Sequence, residues 1–271
     1  MLLVCDACSV SVSVRPERLG VSRSTRDSGH RSRCVSFALL LAAVTRGLGN
    51  NEKTKLVPSA VPWIGAQPAH WVHKRLKLAY RFSKGKNAQQ LSAAYIAQHP
   101  GPYPVYSGQT ENEGVMGSID SFAYDMPEAL VVTTVGSSKV MTPRLIRGRF
   151  SLSQNCALIT PLRDDCPRFL CYQLPALFAF ERASIPEHLQ ASLRIEDLRR
   201  FDGLFPPAEE QRRIADHLDR LTAALDERLH KLSLSVARLR EYRAALVSAA
   251  VTGKLARHIA SPNNSARGRP L

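Results

Sequence analysis

The stretch "FPPAEEQRRIADHLDRL", Phe205–Leu221, has the features of a helix start. Its proline pair ends whatever element precedes it, and proline is tolerated in the first turn of a helix. Glu209 and Glu210 follow, where the positive end of the helix dipole favours acidic side chains. No further proline or glycine occurs before Gly253, which is well placed to end a helix. The pattern therefore predicts one long helix over 206–253.

The apolar residues of this predicted helix recur every seven positions. Such a repeat favours a coiled-coil seam over a long amphipathic helix packed on its own domain, which stays the alternative. At ~1.5 Å per residue the helix is about 65 Å long, more than one small domain covers. Arg228 and Ser235 interrupt the repeat, which favours a helical hairpin or an imperfect antiparallel pair. The residues assigned to the seam are Ile214, Leu218, Leu221, Leu225, Leu232, Leu239, Tyr242 and Leu246.

The chain is strongly basic, and most of the excess lies outside the predicted helix. Its 271 residues carry a net charge of +14. Residues 208–252 hold eight Lys or Arg against seven acids, whereas residues 53–207 hold eighteen against twelve. Excess positive charge favours a polyanion such as nucleic acid, or an anionic membrane face. A basic protein without such a partner is the alternative.

The residues before the helix predict an α+β domain. Between Tyr103 and Pro161, short aromatic and aliphatic pieces alternate with glycine-bearing turns, a pattern typical of strands. The expected elements are two strands in Ala129–Thr142 around a Gly136 turn, a strand in Phe150–Thr160, a helix in Arg168–Phe180 interrupted at Pro175, and a short helix in Arg194–Phe201.

Composition divides the chain into four segments. Residues 1–52 are rich in Ser and Arg, which indicates a disordered extension or a start codon assigned too early. The α+β domain takes 53–205, the helix 206–253, and a disordered basic tail 254–271. The apolar run Val35–Val44 is too short to span a bilayer.

Cysteine and histidine spacing gives no strong metal signal. Cys5 and Cys8 form a CxxC, but no second pair stands at zinc-ribbon spacing. His70 and His73 lie in an extended segment, where surface or packing roles are commoner than metal binding. The six cysteines do not form a secreted disulfide framework, so a reducing cytoplasm is expected. No metal and no cofactor are predicted.

The two ends of the helix resemble the characteristic region of type I restriction–modification specificity subunits. That region begins Pro-Pro-x-x-Glu-Gln-x-x-Ile-Ala and ends Ala-Val-Thr-x-Gly. Upstream, "VPWIGAQPAHWVHKRLK", "YPVYSGQTENEGVMGSID" and "VVTTVGSSKV" resemble parts of a target recognition domain. The resemblance covers about 55–255. The matching residues at the helix ends are Pro206, Pro207, Glu210, Gln211, Ile214 and Ala215, then Ala250, Val251, Thr252 and Gly253.

The chain also departs from that family. Specificity subunits usually contain two target domains and two such helices, and this sequence has one of each. The stretch "SIPEHLQASLRIEDL" replaces a loop of small residues, and 1–52 have no counterpart. The resemblance therefore implies either a half-subunit that dimerises or the remnant of a longer one.

The resemblance implies sequence-specific binding of double-stranded DNA without catalysis. The only Pro-Pro follows Phe205, so the Asn/Asp-Pro-Pro-aromatic motif of adenine methyltransferases is absent from the sequence, as is a P-loop. Methylation and cleavage would belong to partner methyltransferase and restriction subunits. A stand-alone nuclease or methyltransferase and a coiled-coil scaffold or inert fragment are the alternatives.

DNA contact needs cations for phosphates and polar side chains for base edges. Gln109 suits adenine, and Lys139 suits guanine or phosphate. A homodimer paired through its helices, or a pair with another specificity chain, would contact a split target. The candidate DNA-binding residues are Lys84, Lys86, Tyr106, Ser107, Gln109, Thr110, Thr134, Ser137, Ser138 and Lys139.

Overall fold

The structure is a computed structural model with two compact units, Met1–Leu218 and Asp219–Leu271. The residues that it describes are 2–5, 10–15 and 18–21 as backbone, and 40–48, 55–61, 63–109, 112–135, 141–183 and 193–252 in full.

Runs of strands separated by a few helices make up the described part of the first unit, and one long helix continues into the second. The strands are β1 (Leu2–Cys5), β2 (Val10–Arg15), β3 (Arg18–Val21), β4 (Leu56–Pro58), β5 (Ala66–Pro68), β6 (Val72–Arg75), β7 (Tyr80–Lys84), β8 (Pro100–Tyr106), β9 (Val115–Ile119), β10 (Tyr124–Thr133), β11 (Pro143–Leu152), β12 (Cys156–Pro161) and β13 (Asp202–Phe205). The helices are α1 (40–46), α2 (Ala93–Gln98), α3 (Pro167–Arg182), α4 (Ile195–Arg200) and α5 (Ala208–Val251). Single 3₁₀ turns occupy Leu76–Leu78 and Asn112–Gly114.

A six-stranded sheet with the order β7-β12-β10-β11-β8-β9 forms the centre of the first unit. All neighbours are antiparallel except β11 and β8, which run parallel and pair Leu152 with Tyr106. Helix α3 packs on β10 and β11. The second half of β10 is buried on both faces, as expected for a central strand under a helix. The predicted α+β class with a long helix is confirmed.

Two predicted strand boundaries differ from the structure. The stretch predicted as one strand, Phe150–Thr160, contains the end of β11 and the start of β12, because a turn separates them. In that turn the Ser153 hydroxyl accepts a hydrogen bond from the Asn155 amide at 3.4 Å. The strand expected after Gly136 begins at Pro143.

Helix α3 is continuous, although an interruption at Pro175 was predicted. Proline removes one backbone hydrogen bond and costs about 3 kcal/mol inside a helix. The residues around it are buried against the sheet, including Leu174 and Leu177. Burying such a side chain contributes about 1.5–3 kcal/mol, so packing on both sides of Pro175 offsets the lost bond.

Folded structure begins earlier than the predicted boundary at residue 53. Residues 40–46 are helical, within the segment expected to be disordered, and Val44 is fully buried. Further along, Trp63 and Trp71 are buried beside the short strands β4 and β5. These tryptophans anchor an extended segment to the domain.

Helix α5 begins inside the first unit. Ile214, Ala215 and Leu218 are buried there, so Ile214 and Leu218 pack on the chain's own domain. Their assignment to the coiled-coil seam is corrected for this reason. Among the described residues, no helix combines the length and apolar character needed to cross a membrane.

Candidate nucleic-acid interface

The turn after β8 contacts the end of β10 and the start of β11. A side chain on Gly108 would come within 2.4 Å of the Val135 carbonyl, so the two backbones touch there. Arg144 at the start of β11 donates a hydrogen bond to the Gln109 carbonyl at 3.0 Å. The turn carrying Gln109 therefore lies against strands whose loops also carry predicted DNA-binding residues.

Lys84 and Lys86 are exposed at the end of β7, an edge strand of the sheet. The Tyr124 hydroxyl fixes the backbone here, because it accepts from the Lys86 amide at 2.8 Å and donates to the Lys84 carbonyl at 3.4 Å. The Lys86 ammonium lies 5.3 Å from the centre of the Tyr124 ring. Both lysines keep their charged ends in solvent, where they can reach phosphate groups.

Ser107 shapes the turn after β8. Its amide donates to the Gly114 carbonyl at 2.8 Å, and its hydroxyl accepts from the Gln109 amide at 3.3 Å. With 8% of its surface exposed, Ser107 is not placed to contact a base edge, which corrects that prediction. Gln109 is exposed, and its side-chain amide donates to the Val115 carbonyl.

Tyr106 is half-buried and belongs to the sheet core. Its ring packs edge-on against Phe150 with centroids 6.1 Å apart. Burial and the charge of Glu113 raise the pKa of its phenol, while Arg144 acts in the opposite direction. Tyr106 therefore supports the turn, and its ring is packed in the domain rather than directed at a DNA base.

Thr134 is a structural residue, because only 1% of it is exposed. Its amide donates to the Asn155 carbonyl at 2.8 Å, and its carbonyl accepts from the Leu193 amide at 3.0 Å. These bonds join β10 to the segment before α4. The prediction that Thr134 contacts DNA is corrected by this burial.

The remaining candidates lie outside the described residues, namely Thr110, Ser137, Ser138 and Lys139. Elsewhere the predicted HxxH histidines each face one carboxylate. His70 lies 2.9 Å from Glu210, and His73 lies 3.2 Å from Asp202. Within the ranges the structure describes, no group of His, Cys, Asp or Glu is arranged to hold a metal ion.

Arg144 was missed by the sequence analysis. It is half-buried, and its guanidinium lies against Gly114, where an added side-chain carbon would sit 1.6 Å from Nη1. Gly114 has a φ of +84°, a conformation that favours glycine. The only sequence signal was a basic residue two positions after a predicted strand pair, which is too common to be specific.

The family model for the type I restriction modification DNA specificity domain matches residues 83–233. This match spans most of the six-stranded sheet, α3, α4 and the first half of α5. The chain belongs to this family. The resemblance inferred from the helix motif is confirmed.

Individual specificity-domain proteins are similar over part of the chain. The type I restriction enzyme MpnII specificity subunit of Mycoplasma pneumoniae is 33% identical over 137 residues, which are 49% of this chain and 39% of that protein. The chain spans 39–54% of the length of five curated relatives from that organism. A solved structure of the type I restriction–modification system covers 81% of this chain and 51% of its own, with a TM-score of 0.57 at 15% identity, which shows a shared fold.

In this specificity domain, the Glu-Gln of the helix motif attaches α5 to the sheet domain. The Gln211 side chain is buried and accepts from the Cys166 amide at 2.8 Å. It also donates to Asp165 at 2.9 Å and to the Pro206 carbonyl at 3.0 Å. Every polar group of the Gln211 amide therefore has a partner, as a buried amide requires.

Neighbouring motif residues add to this attachment. Glu210 accepts hydrogen bonds from the Trp71 indole at 3.3 Å and lies beside His70. The preceding strand, β13, pairs with β6 on one side. On its other side the buried Gln173 amide donates to the Leu204 carbonyl at 2.9 Å and accepts from the Leu204 amide at 3.4 Å. The motif thus has a structural role that its sequence alone did not reveal.

Proposed function

We propose that the chain recognises a DNA sequence as the specificity subunit of a type I restriction–modification complex. In this role it directs partner methyltransferase and restriction subunits to a bipartite target. The observation that carries the proposal is the family model matched over the sheet domain and the helix start, residues 83–233. The chain itself is non-catalytic and works in the cytoplasm, without a cofactor.

The exposed groups near the β8 turn suit DNA. Lys84 and Lys86 supply exposed cations for phosphates, and Gln109 is an exposed amide. Arg144 adds a guanidinium beside the same turn. We assign these residues to the DNA contact, together with Thr110, Ser137, Ser138 and Lys139 from the original prediction. Ser107, Tyr106 and Thr134 are assigned to supporting the loops.

The later part of α5 supports pairing with a second helix. In this part of the seam Leu232, Leu239 and Tyr242 are largely exposed. The charge of the helix also changes sign along its length. Residues 208–227 hold three basic residues and six acids, whereas residues 228–252 hold five basic residues and one acid. An antiparallel partner of the same sequence would place unlike charges opposite each other, and a parallel one like charges. The partner is a second copy or another specificity chain.

DNA recognition is tested by selecting binding sites from a random duplex library and measuring affinity as salt rises. We expect an enriched sequence, and an affinity that falls steeply with salt while the preference between sequences persists. Adding type I methyltransferase subunits should then produce methylation at the selected sequence. Enrichment of no sequence, or methylation by the chain alone, would contradict the proposal.

Helix pairing is tested by light scattering on a pair of matched variants. Leu239→Asp places a charge on the seam, whereas Leu234→Asp places it on an exposed leucine outside the heptad series. We expect a dimer for the wild type and for Leu234→Asp, and a monomer for Leu239→Asp. Equal masses for both variants would exclude this seam as the contact surface.

A further inference from the structure

Strand β11 carries three arginines, and they differ in their partners. Arg147 lies 3.0 Å from Glu128, and Arg149 lies 3.0 Å from Asp125. For Arg144, no carboxylate among the described residues lies within ion-pair distance; its guanidinium donates to the Gln109 carbonyl instead. Arg144 is also half-buried, whereas Arg147 and Arg149 are exposed.

Among the described residues this partly buried cation has no counter-ion, which is energetically costly, so its position needs an explanation. Two contacts position this guanidinium. It lies against Gly114, where no side chain fits, and one terminal nitrogen is fixed by the Gln109 carbonyl. Gln109 and Gly114 flank the β8–β9 turn, so the charge is placed at the loop cluster assigned to DNA.

The chemistry of a fixed guanidinium differs from that of the nearby lysines. An ammonium on a flexible stem suits a phosphate, whose position along the backbone varies little with sequence. A planar guanidinium held in one orientation offers paired N–H donors, which match the O6 and N7 acceptors of guanine in the major groove. One hydrogen bond to Gln109 leaves other donors of Arg144 available.

We propose that Arg144 reads a guanine in the DNA target, with the Gln109 carbonyl and Gly114 fixing its orientation. The proposal rests on the proposed DNA-recognition function and makes it specific to one residue and one base. Gly114 acts as a positioning residue, because a side chain there would displace the guanidinium.

The experiment compares full-length wild type, Arg144→Ala and the control Arg149→Ala on the sequence selected by the wild type. Arg149 is on the same strand but is paired with Asp125 and exposed. Each guanine is replaced in turn by 7-deazaguanine, which lacks the N7 acceptor, and binding is measured by fluorescence anisotropy. We expect one position where the replacement weakens wild-type and Arg149→Ala binding about 10-fold. Arg144→Ala should bind the normal and replaced DNA equally.

Three outcomes overturn the proposal. A loss of affinity in Arg144→Ala that is equal for all sequences, with every 7-deazaguanine effect retained, would make Arg144 a phosphate contact. A selected site without a sensitive guanine would also exclude it. Unchanged binding and unchanged selection in Arg144→Ala would remove the residue from the interface.

Two controls distinguish a failure of the Arg144 proposal from a failure of DNA recognition and from misfolding of the variant. Failure of the wild type to select any sequence rejects DNA recognition itself and leaves nothing for Arg144 to read. Folding is checked by thermal unfolding of each variant. If Arg144→Ala is unfolded, Arg144→Lys retains the charge but not the planar fork, and we expect it to bind DNA while losing the response to the sensitive guanine.

Discussion

The two parts of α5 share one heptad repeat and have opposite environments. Leu218 is fully buried in the first unit, whereas Leu239, at the same heptad position, is 66% exposed. The difference lies in what covers the helix. Near its start, α5 is attached to the sheet domain through Gln211 and Glu210. A hydrophobic repeat therefore identifies a face of a helix but not the element that covers it.

The largest test of this comparison is to truncate both leucines. Leu218→Ala should lower the free energy of unfolding by about 3–5 kcal/mol, because it opens a cavity at a fully buried site. Leu239→Ala should change the free energy of unfolding of the separated monomer by less than about 0.5 kcal/mol. Urea titrations followed by circular dichroism measure both. Similar losses of unfolding free energy in the two variants would contradict the difference between the two parts of α5.

A second test removes the attachment while leaving the apolar surface intact. Gln211→Ala leaves the Cys166 amide and the Pro206 carbonyl without their partner. We expect a loss of about 2–3 kcal/mol in the same titration, since orphaned buried polar groups are costly. Gln89→Ala, at an exposed glutamine, is the matched control. If the free energy of unfolding of Gln211→Ala falls no further than that of Gln89→Ala, water must replace the hydrogen bonds of Gln211.

Alkaline pH should lower the stability of the sheet domain. Burial raises the pKa of the Cys156 thiol from 9.0 to about 11, and burial also raises the pKa of Tyr80, Tyr106 and Tyr124. The folded state favours the protonated form of each group, so stability is full below the unfolded pKa and falls as pH rises. For Cys156 this loss is about 2 kcal/mol between pH 9 and 11.

The measurement is the free energy of unfolding against pH for the wild type and Cys156→Ala. Cys156→Ala should lose less stability than the wild type between pH 9 and 11, because it has no thiol whose ionisation destabilises the folded state. Identical slopes would show that Cys156 ionises in the folded domain as readily as in the unfolded chain.

The smallest expected effect concerns the outer part of the attachment. Glu210 and His70 lie 2.9 Å apart with 20% and 51% of their side chains exposed, so solvent screens the pair. His70→Ala should cost less than about 1 kcal/mol of stability. Exposed His230→Ala on the later part of α5 is the control. A cost comparable with that of Gln211→Ala would place the main attachment at Glu210 instead.

The sequence predicted the elements with local signals. The prolines and acids at 206–210 placed the start of α5 to within two residues, and its end at Val251 agrees with the glycine that follows. Apolar runs between turn residues located the second half of β10, and they located β12 but merged it with the end of β11. Pro175 was misjudged because the penalty for a helical proline is local, whereas the burial that offsets it comes from the sheet.

The site was less predictable, because exposure depends on tertiary contacts. Polar residues near turns were all candidates, but Ser107 and Thr134 are buried by neighbouring strands and Lys84 and Lys86 are not. Arg144 is positioned by Gly114 and Gln109, which are distant in sequence. That Arg147 and Arg149 pair with carboxylates, while no described carboxylate pairs with Arg144, depends on the folded arrangement and not on the local sequence.

The Gln211 attachment affects whether the domain joined to α5 can be exchanged for another. Two of its three side-chain bonds end on main-chain atoms, the Cys166 N–H and the Pro206 C=O. Main-chain atoms are present whatever side chain those residues carry, so these two bonds tolerate substitution there, and only the third depends on the Asp165 carboxylate. A recognition domain with a different loop set could be grafted onto the same helix, provided that its backbone follows the same course past Asp165 and the glutamine is kept.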